Sequence, residues 1–177
     1  MSDFDHIAAR MPDPFRLLWR ETVSSTNDEL RALAEKGMAE GLVLVAEEQT
    51  AGRGRRGAEW FSPTGESLAF SVLLRPSEPM AFWPRLSLAA GLAVAESLEK
   101  FVPLAEIKWP NDVLICGKKI AGILVEAGRD FVIVGINPLF PALRSSPTAV
   151  QEPPAKSKFL AGKSRLQPHR RPERLMG

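Results

Sequence analysis

An α+β fold, a mixed β-sheet with helices packed on it, is predicted for this chain by three observations. Four strand-like runs, 105–109, 112–116, 119–127 and 130–136, follow one another with only turn residues between them. Two earlier apolar runs, 41–48 and 66–75, read as further strands, and two segments, 24–37 and 87–101, read as helices. Strands and helices therefore do not alternate regularly, which argues against a doubly wound parallel sheet. At 177 residues, with 45% hydrophobic and 25% charged side chains, the chain can bury one core but hardly two.

Each element has its own signal. In SSTNDELRALAEKG, residues 24–37, Thr26 stands three residues before Glu29 in a capping-box pattern. Leu30, Leu33 and Ala34 form an apolar stripe that ends at Gly37. GLVLVAEE (41–48) is a short β-branched run suited to a buried strand, and ESLAFSVLLR (66–75) alternates into another. SLAAGLAVAESLEKF (87–101) is apolar at 88, 92, 95 and 98 and reads as a helix lying on the sheet. Gly117-Lys118 and Gly128-Arg129 are expected to turn the hairpins that join the last strands.

Charge divides the chain. Residues 1–137 carry 15 Lys+Arg and 19 Asp+Glu, whereas residues 138–177 carry 8 and 2 together with seven of the fifteen prolines. Three parts are expected: an N-terminal segment 1–16, a domain 17–137, and a Pro-rich basic tail 138–177 that is disordered. Cys116 is the only cysteine, and His6 and His169 are the only histidines. An intramolecular disulfide is excluded and a Cys/His metal site is not expected, so any metal would arrive with a substrate. Neither a signal segment nor a membrane span is legible, and a cytoplasmic location is expected.

The stretch 52–57, Gly-Arg-Gly-Arg-Arg-Gly, fits the dinucleotide fingerprint G-x-G-x-x-G. That fingerprint works only where its glycines open a helix whose free N–H groups meet a pyrophosphate. Here Pro63 and Gly65 forbid a useful helix before the next strand, so the match is a coincidence of spacing. SKFLAGKS (157–164) likewise ends in Gly-Lys-Ser but has Ser157 where a phosphate loop needs its first glycine. What remains at 52–60 is a mobile glycine loop bearing Arg53, Arg55 and Arg56, with Trp60 beside it. Guanidinium forks suit phosphate oxygens. A basic surface turn, an RNA-binding segment and a small-molecule phosphate loop all stay open on these residues alone.

Two other constellations carry polar groups. Lys108-Trp109-Pro110-Asn111-Asp112 sits at a strand end, where Asn111 and Asp112 fit an Asx turn as well as a site. Lys119 opens the strand KIAGILVEA and reads either as a snorkelling surface lysine or as a cation facing developing negative charge. At the helix start, capping accounts for Thr26 and leaves Ser25 and Asn27 unexplained.

Taken in order, SSTND, EEQTAGRGRRG followed by EWFSP, KWPNDVL and KKIAGILVE closely resemble the catalytic domain of biotin protein ligases over about residues 17–137. The resemblance implies the biotin/lipoate ligase and class II aminoacyl-tRNA synthetase-like fold. It also implies ATP-dependent activation of biotin to biotinyl-5′-adenylate, with Mg²⁺ accompanying ATP, and transfer to a lysine of the biotin carboxyl carrier protein of a carboxylase. By the same resemblance Ser25, Thr26, Asn27 and Gln49 contact the biotin head. Arg53, Gly54 and Arg55 form the adenylate loop, and Trp60 lies beside adenine. Asn111 and Asp112 sit near the phosphates, and Lys119 meets the biotin carboxylate and the α-phosphate. Lys119 and Arg55 are the expected catalytic residues.

After Asn137 the family pattern stops, and the Pro-rich tail suggests a truncated or frame-shifted reading frame that would impair activity. Only about two dozen residues precede Ser25 and no helix-turn-helix fits there, so DNA binding is not expected; a homodimer stays open. The competing readings are a lipoate or octanoate transferase, which the arginine loop disfavours, a nucleic-acid binder using the loop and tail, and a degenerate protein.

Overall fold

A computed structural model of the chain describes residues 3–60, 65, 67–99, 101 and 105–139. The chain divides into two units, 1–147 and 148–177, and the second lies wholly outside the described residues. Helix α1 spans Asp3–Ala8, strand β1 Arg16–Val23, helix α2 Thr26–Glu35, strand β2 Leu42–Gln49 and strand β3 Ala69–Leu74. Helix α3 follows at Leu86–Leu98, then β4 Ala105–Lys108, β5 Asp112–Ile115, β6 Lys118–Ala127 and β7 Val132–Pro138. The seven strands form one sheet in the order β1-β2-β3-β7-β6-β5-β4. Only β1 and β2 run parallel, joined by α2; the other neighbours pair antiparallel. The mixed sheet and the α+β class are as the sequence predicts.

Side-chain alternation along the central strands assigns a helix to each face. Leu30 and Ala34 of α2 pack with Leu44, Leu73, Phe131 and Ile133. Ala95 of α3 packs with Val113, Ile120, Ala121, Ile123, Val134 and Ile136 on the other side. β7 sends Ile133 one way and Val134 and Ile136 the other, so all seven of its residues are buried. By the same alternation, Ser71 follows Leu73 and Gly135 and Asn137 follow Ile133 onto the α2 face, where Gly122 of β6 pairs with Asn137. Small and polar residues thus replace apolar ones at one end of the α2 face. That end carries the site.

The structure adds two elements and defines two ends more closely. β1 was not anticipated, because Arg16, Arg20 and Glu21 interrupt any alternation; its parallel register with β2, from Arg16↔Leu42 to Val23↔Gln49, makes it a strand. α1 lies in the N-terminal segment, with Phe4 tilted against Trp19 at 5.5 Å. The β5–β6 turn is Cys116-Gly117, both at positive φ, and Lys118 already belongs to the strand. At the other end, Pro138 still belongs to β7 and Leu139 bridges to Ser67. The expected disorder of residues 140–177 lies outside the described residues.

Candidate functional site

The capping box does not form. Ser25 is the N-cap of α2 and makes no side-chain cap hydrogen bond, while Glu29 lies 3.8 Å from Arg20. The first helical N–H is instead satisfied across the sheet. Gln49 at the end of β2 accepts from the Thr26 backbone N–H at 2.8 Å and from Thr26 Oγ1 at 3.0 Å through the same Oε1. A strand side chain caps the helix, which frees the Thr26 hydroxyl for a network.

That network is buried. Ser25, Thr26, Asn27, Gln49, Ser71 and Asn137 are each at most 9% exposed. Ser71 Oγ lies 2.7 Å from Thr26 Oγ1 and 2.6 Å from Asn27 Oδ1, and Gln49 Nε2 donates to Asn137 Oδ1 at 2.9 Å. Asn27 Nδ2 donates to Glu126 Oε2 at 2.7 Å. The Thr26–Gln49, Ser71–Thr26 and Ser71–Asn27 contacts are all oxygen to oxygen, yet only two hydroxyl protons serve the three of them. Among the described residues, one of these three contacts therefore has no proton of its own. Gly135 makes the cluster possible, since a Cβ there would stand 2.3 Å from Asn27 Oδ1.

Beside this cluster a cavity of about 480 Å³ is lined by Arg53, Gly54, Arg55, Trp60, Asn111, Asp112, Lys119, Gly122 and Asn137, among others. Seven of the sequence-predicted residues therefore meet in one cavity. Ser25, Thr26, Asn27 and Gln49 do not line it but stand behind it, joined through the Gln49–Asn137 hydrogen bond.

The loop that covers the cavity has no α-helix. Arg55–Gly57 form one 3₁₀ turn, with Arg56 and Gly57 both at positive φ, and the chain then runs extended, Arg53 bridging Glu59. A dinucleotide helix start is thereby ruled out, as the sequence predicts. Trp60 is held by its backbone N–H to Gly52 O at 2.9 Å, and its ring comes so close to β6 that a Cβ on Gly122 would stand 2.9 Å from Cζ3. Lys119 Nζ sits 4.6 Å from the Trp60 ring centre and 2.7 Å from Asp112 Oδ1. Trp60 Nε1 is buried without an acceptor among the described residues. Asn111 uses its Nδ2 to hold Ile123 O at 3.0 Å and turns its Oδ1 to Arg55 Nη1 at 3.4 Å, so it ties the turn to the strand and meets the loop.

Arg53 is not free. It makes a bidentate pair with Asp28, one arm at 2.6 Å, and reaches Glu126 at 3.4 Å. The Arg53 hydrogen bond holds the Asp28 carboxyl below its ordinary 3.8, against the opposing effect of burial. Asp28 raises the guanidinium of Arg53 in turn. Arg55 and Arg56 are exposed.

Sequence reading missed Ser71, Asn137, Glu126 and Asp28. Three of them sit inside apolar strands or at a strand end, where only the register shows which face they occupy, and Asp28 reads as an ordinary first-turn acid. A second cavity of about 570 Å³ adjoins the first at Arg55 and Pro110 and is lined by Met80, Trp83, Leu88 and Trp109. It follows β6 along residues 123–127, which pair with β7 but with no other described strand. Among the described residues no group of three or more His, Cys, Asp or Glu could hold a metal ion, and no helix is long and apolar enough to cross a membrane.

This geometry has close counterparts. The chain is 46% identical over 129 residues to the biotin--[acetyl-CoA-carboxylase] ligase of Mycobacterium tuberculosis, covering 67% of this chain and 48% of that protein. It is 40% identical over 126 residues to the bifunctional ligase/repressor BirA of Bacillus subtilis, covering 68% and 39%. The biotin protein ligase of Aquifex aeolicus in complex with biotin and ATP superposes with a TM-score of 0.61 at 42% identity, covering 69% of this chain and 51% of that one. The biotin protein ligase of Leishmania major in complex with biotinyl-5-AMP gives 0.64 at 30% identity, covering 72% and 57%. The chain thus spans about half the length of the relatives it matches. The biotin/lipoate A/B protein ligase model matches residues 19–137, the segment that holds every candidate residue and both walls of the cavity, and the chain belongs to that family.

Proposed function

We propose that this chain is the catalytic part of a biotin protein ligase that makes biotinyl-5′-adenylate from biotin and Mg·ATP and passes biotin to a lysine of a biotin carboxyl carrier protein. The observation that carries this reading is the buried polar cluster of Thr26, Asn27, Gln49 and Ser71 lying directly behind a cavity flanked by Lys119 and Arg55. A ureido N–H reaching the cluster from the cavity donates to one of these oxygens in place of the contact that has no proton. The acid chain of the same ligand then extends toward the cations.

In the first step a biotin carboxylate oxygen attacks the α-phosphorus of ATP and pyrophosphate leaves. The two anions must approach within about 3 to 3.5 Å, so fixed cations are needed to offset their repulsion. Lys119, braced between Asp112 and the Trp60 ring, is positioned for both. Arg55, exposed on the glycine loop, closes over the phosphates. Trp60 offers its ring to adenine, and Asn111 and Asp112, which line the same cavity, face the phosphates. Mg²⁺ enters with ATP. In the second step the carrier lysine, having lost its proton, attacks the acyl carbon and AMP leaves. No covalent enzyme intermediate is required.

The carrier approaches along the cleft beside β6 at Trp83 and Trp109, which adjoins the first cavity at Arg55 and can take the side chains next to the lysine. A cytoplasmic location and a homodimer are consistent with this reading, and DNA binding is not part of it. The test is incubation of the purified chain with biotin and Mg·ATP. Biotinyl-adenylate and pyrophosphate are expected, and both should fall at least tenfold in Lys119→Ala and Arg55→Ala. No adenylate from the parent chain would overturn the proposed activity.

A further inference from the structure

Among the three arginines of the loop, Arg53 is the one whose charge is already spent. Both of its Nη groups donate to Asp28, and Nη2 also approaches both Glu126 oxygens at 3.4 and 3.5 Å. The guanidinium faces two carboxylates, and Arg31 also acts on Asp28, so the positive charge of Arg53 is already matched within the cluster. Arg55 by contrast has a single long contact of 3.4 Å to Asn111. The loop therefore has a tethered arginine at its root and exposed ones at its tip.

The tether also reaches the buried cluster. Glu126 Oε2 accepts from Asn27 Nδ2 at 2.7 Å, and Asp28 is the next residue of α2, so the carboxylates holding Arg53 are fastened to the same turn that carries Thr26 and Asn27. We infer that Asp28 and Glu126 are positioning residues: they hold the Arg53 guanidinium, root the glycine loop on α2 and β6, and leave Arg55 and Arg56 as the moving, ligand-facing cations. This deepens the ligase reading, since it rests on the loop being the part that closes over the ligand. In this arrangement Arg53 contributes geometry and not charge. The glycines at 52 and 54 flank the fixed point, and the movement is confined to residues beyond Gly54. The lowered carboxyl of Asp28 agrees with a pair that stays ionised throughout the working pH range.

Limited trypsin digestion of the full 177-residue chain, without ligand, tests the tether, with fragments identified by mass. Asp28→Asn and Arg53→Gln should each raise cleavage after Arg55 and Arg56 about threefold to tenfold, the range expected for losing a partly exposed bidentate pair. The double variant should match the faster single one, and Asp28→Glu should recover part of the protection. Cleavage after Arg10, in the segment between α1 and β1, should not change. Loop cleavage equal to the parent, rates that multiply in the double variant, or a parallel rise at Arg10 would each overturn the inference. Adding biotin with Mg·ATP to the parent chain separates the two ideas: failure to protect Arg55 and Arg56 counts against the ligase reading, while the ligand-free cycle still judges the tether.

Discussion

Gly122 is the position where one methyl group should be felt across the whole cavity. A Cβ built there lies 2.9 Å from Trp60 Cζ3, 3.0 Å from Cη2 and 3.2 Å from Lys119 Cε. Optimal carbon contacts are about 3.5–4.0 Å, so the ring must retreat by about 0.5–1 Å. It cannot do so without moving the ammonium that sits 4.6 Å from its centre, and that ammonium is held by Asp112. Overpacking of this kind costs about 1–3 kcal/mol. For a domain of this size that lowers Tm by about 4–12 °C. A shift of about 1 Å at the reacting groups lowers the rate up to about 100-fold. Thermal unfolding and pyrophosphate release from biotin and Mg·ATP measure the two effects. Gly91→Ala is the control, because its Cβ would meet Ile107 and Ile123 at an ordinary 3.8 Å inside α3. Helix propensity alone should raise stability there by about 0.5–1 kcal/mol. If Gly122→Ala is as stable and as active as the parent, or if both alanines shift Tm alike, the close approach of Trp60 to β6 is not what shapes the site.

Four further outcomes are expected. Gln49→Ala leaves the first N–H of α2 without its acceptor and should lower stability by about 1–3 kcal/mol in urea unfolding, with loss of biotin binding by titration. Glu29→Ala, which a capping box would make costly, should stay within about 0.5 kcal/mol. Leu30→Ala removes a side chain with no exposed surface from the α2 cluster and should cost about 2–5 kcal/mol by the same measurement. The fourth outcome concerns pH. Asp28 has a depressed carboxyl, so its contribution is fully present above the unfolded value of 3.8 and is lost as pH falls through the lower folded value. The raised Arg53 adds no loss on the alkaline side within the working range. The stability difference between parent and Asp28→Asn should therefore be flat from about pH 5 to 8 and disappear only in acid below about 3.8. A difference that titrates near neutrality would contradict the ion pair.

By itself, the sequence determined the elements whose signals are local. The β-branched run of β2, the stripe of α2 ending at Gly37 and the tight succession of β4 to β7 depend on side-chain period and turn residues, which neighbours in sequence supply. It also specified the loop chemistry, because the residues that rule out a helix start, Pro63 and Gly65, follow the glycines directly. The motifs around Lys119, Asn111 and the arginines name the same residues that line the cavity.

Only the tertiary structure decided what those residues hold. Thr26 looks like its own helix cap until β2 brings Gln49 within 2.8 Å of its N–H. Arg53 looks like an anion contact until α2 and β6 present Asp28 and Glu126 to it from 25 and 73 residues away. Ser71 and Asn137 look like strand interiors until the register of β3, β7 and β6 turns them to the α2 face. A hydrogen bond or ion pair between distant segments depends on strand order and on which face each side chain occupies. Neither is written in the spacing of any one segment.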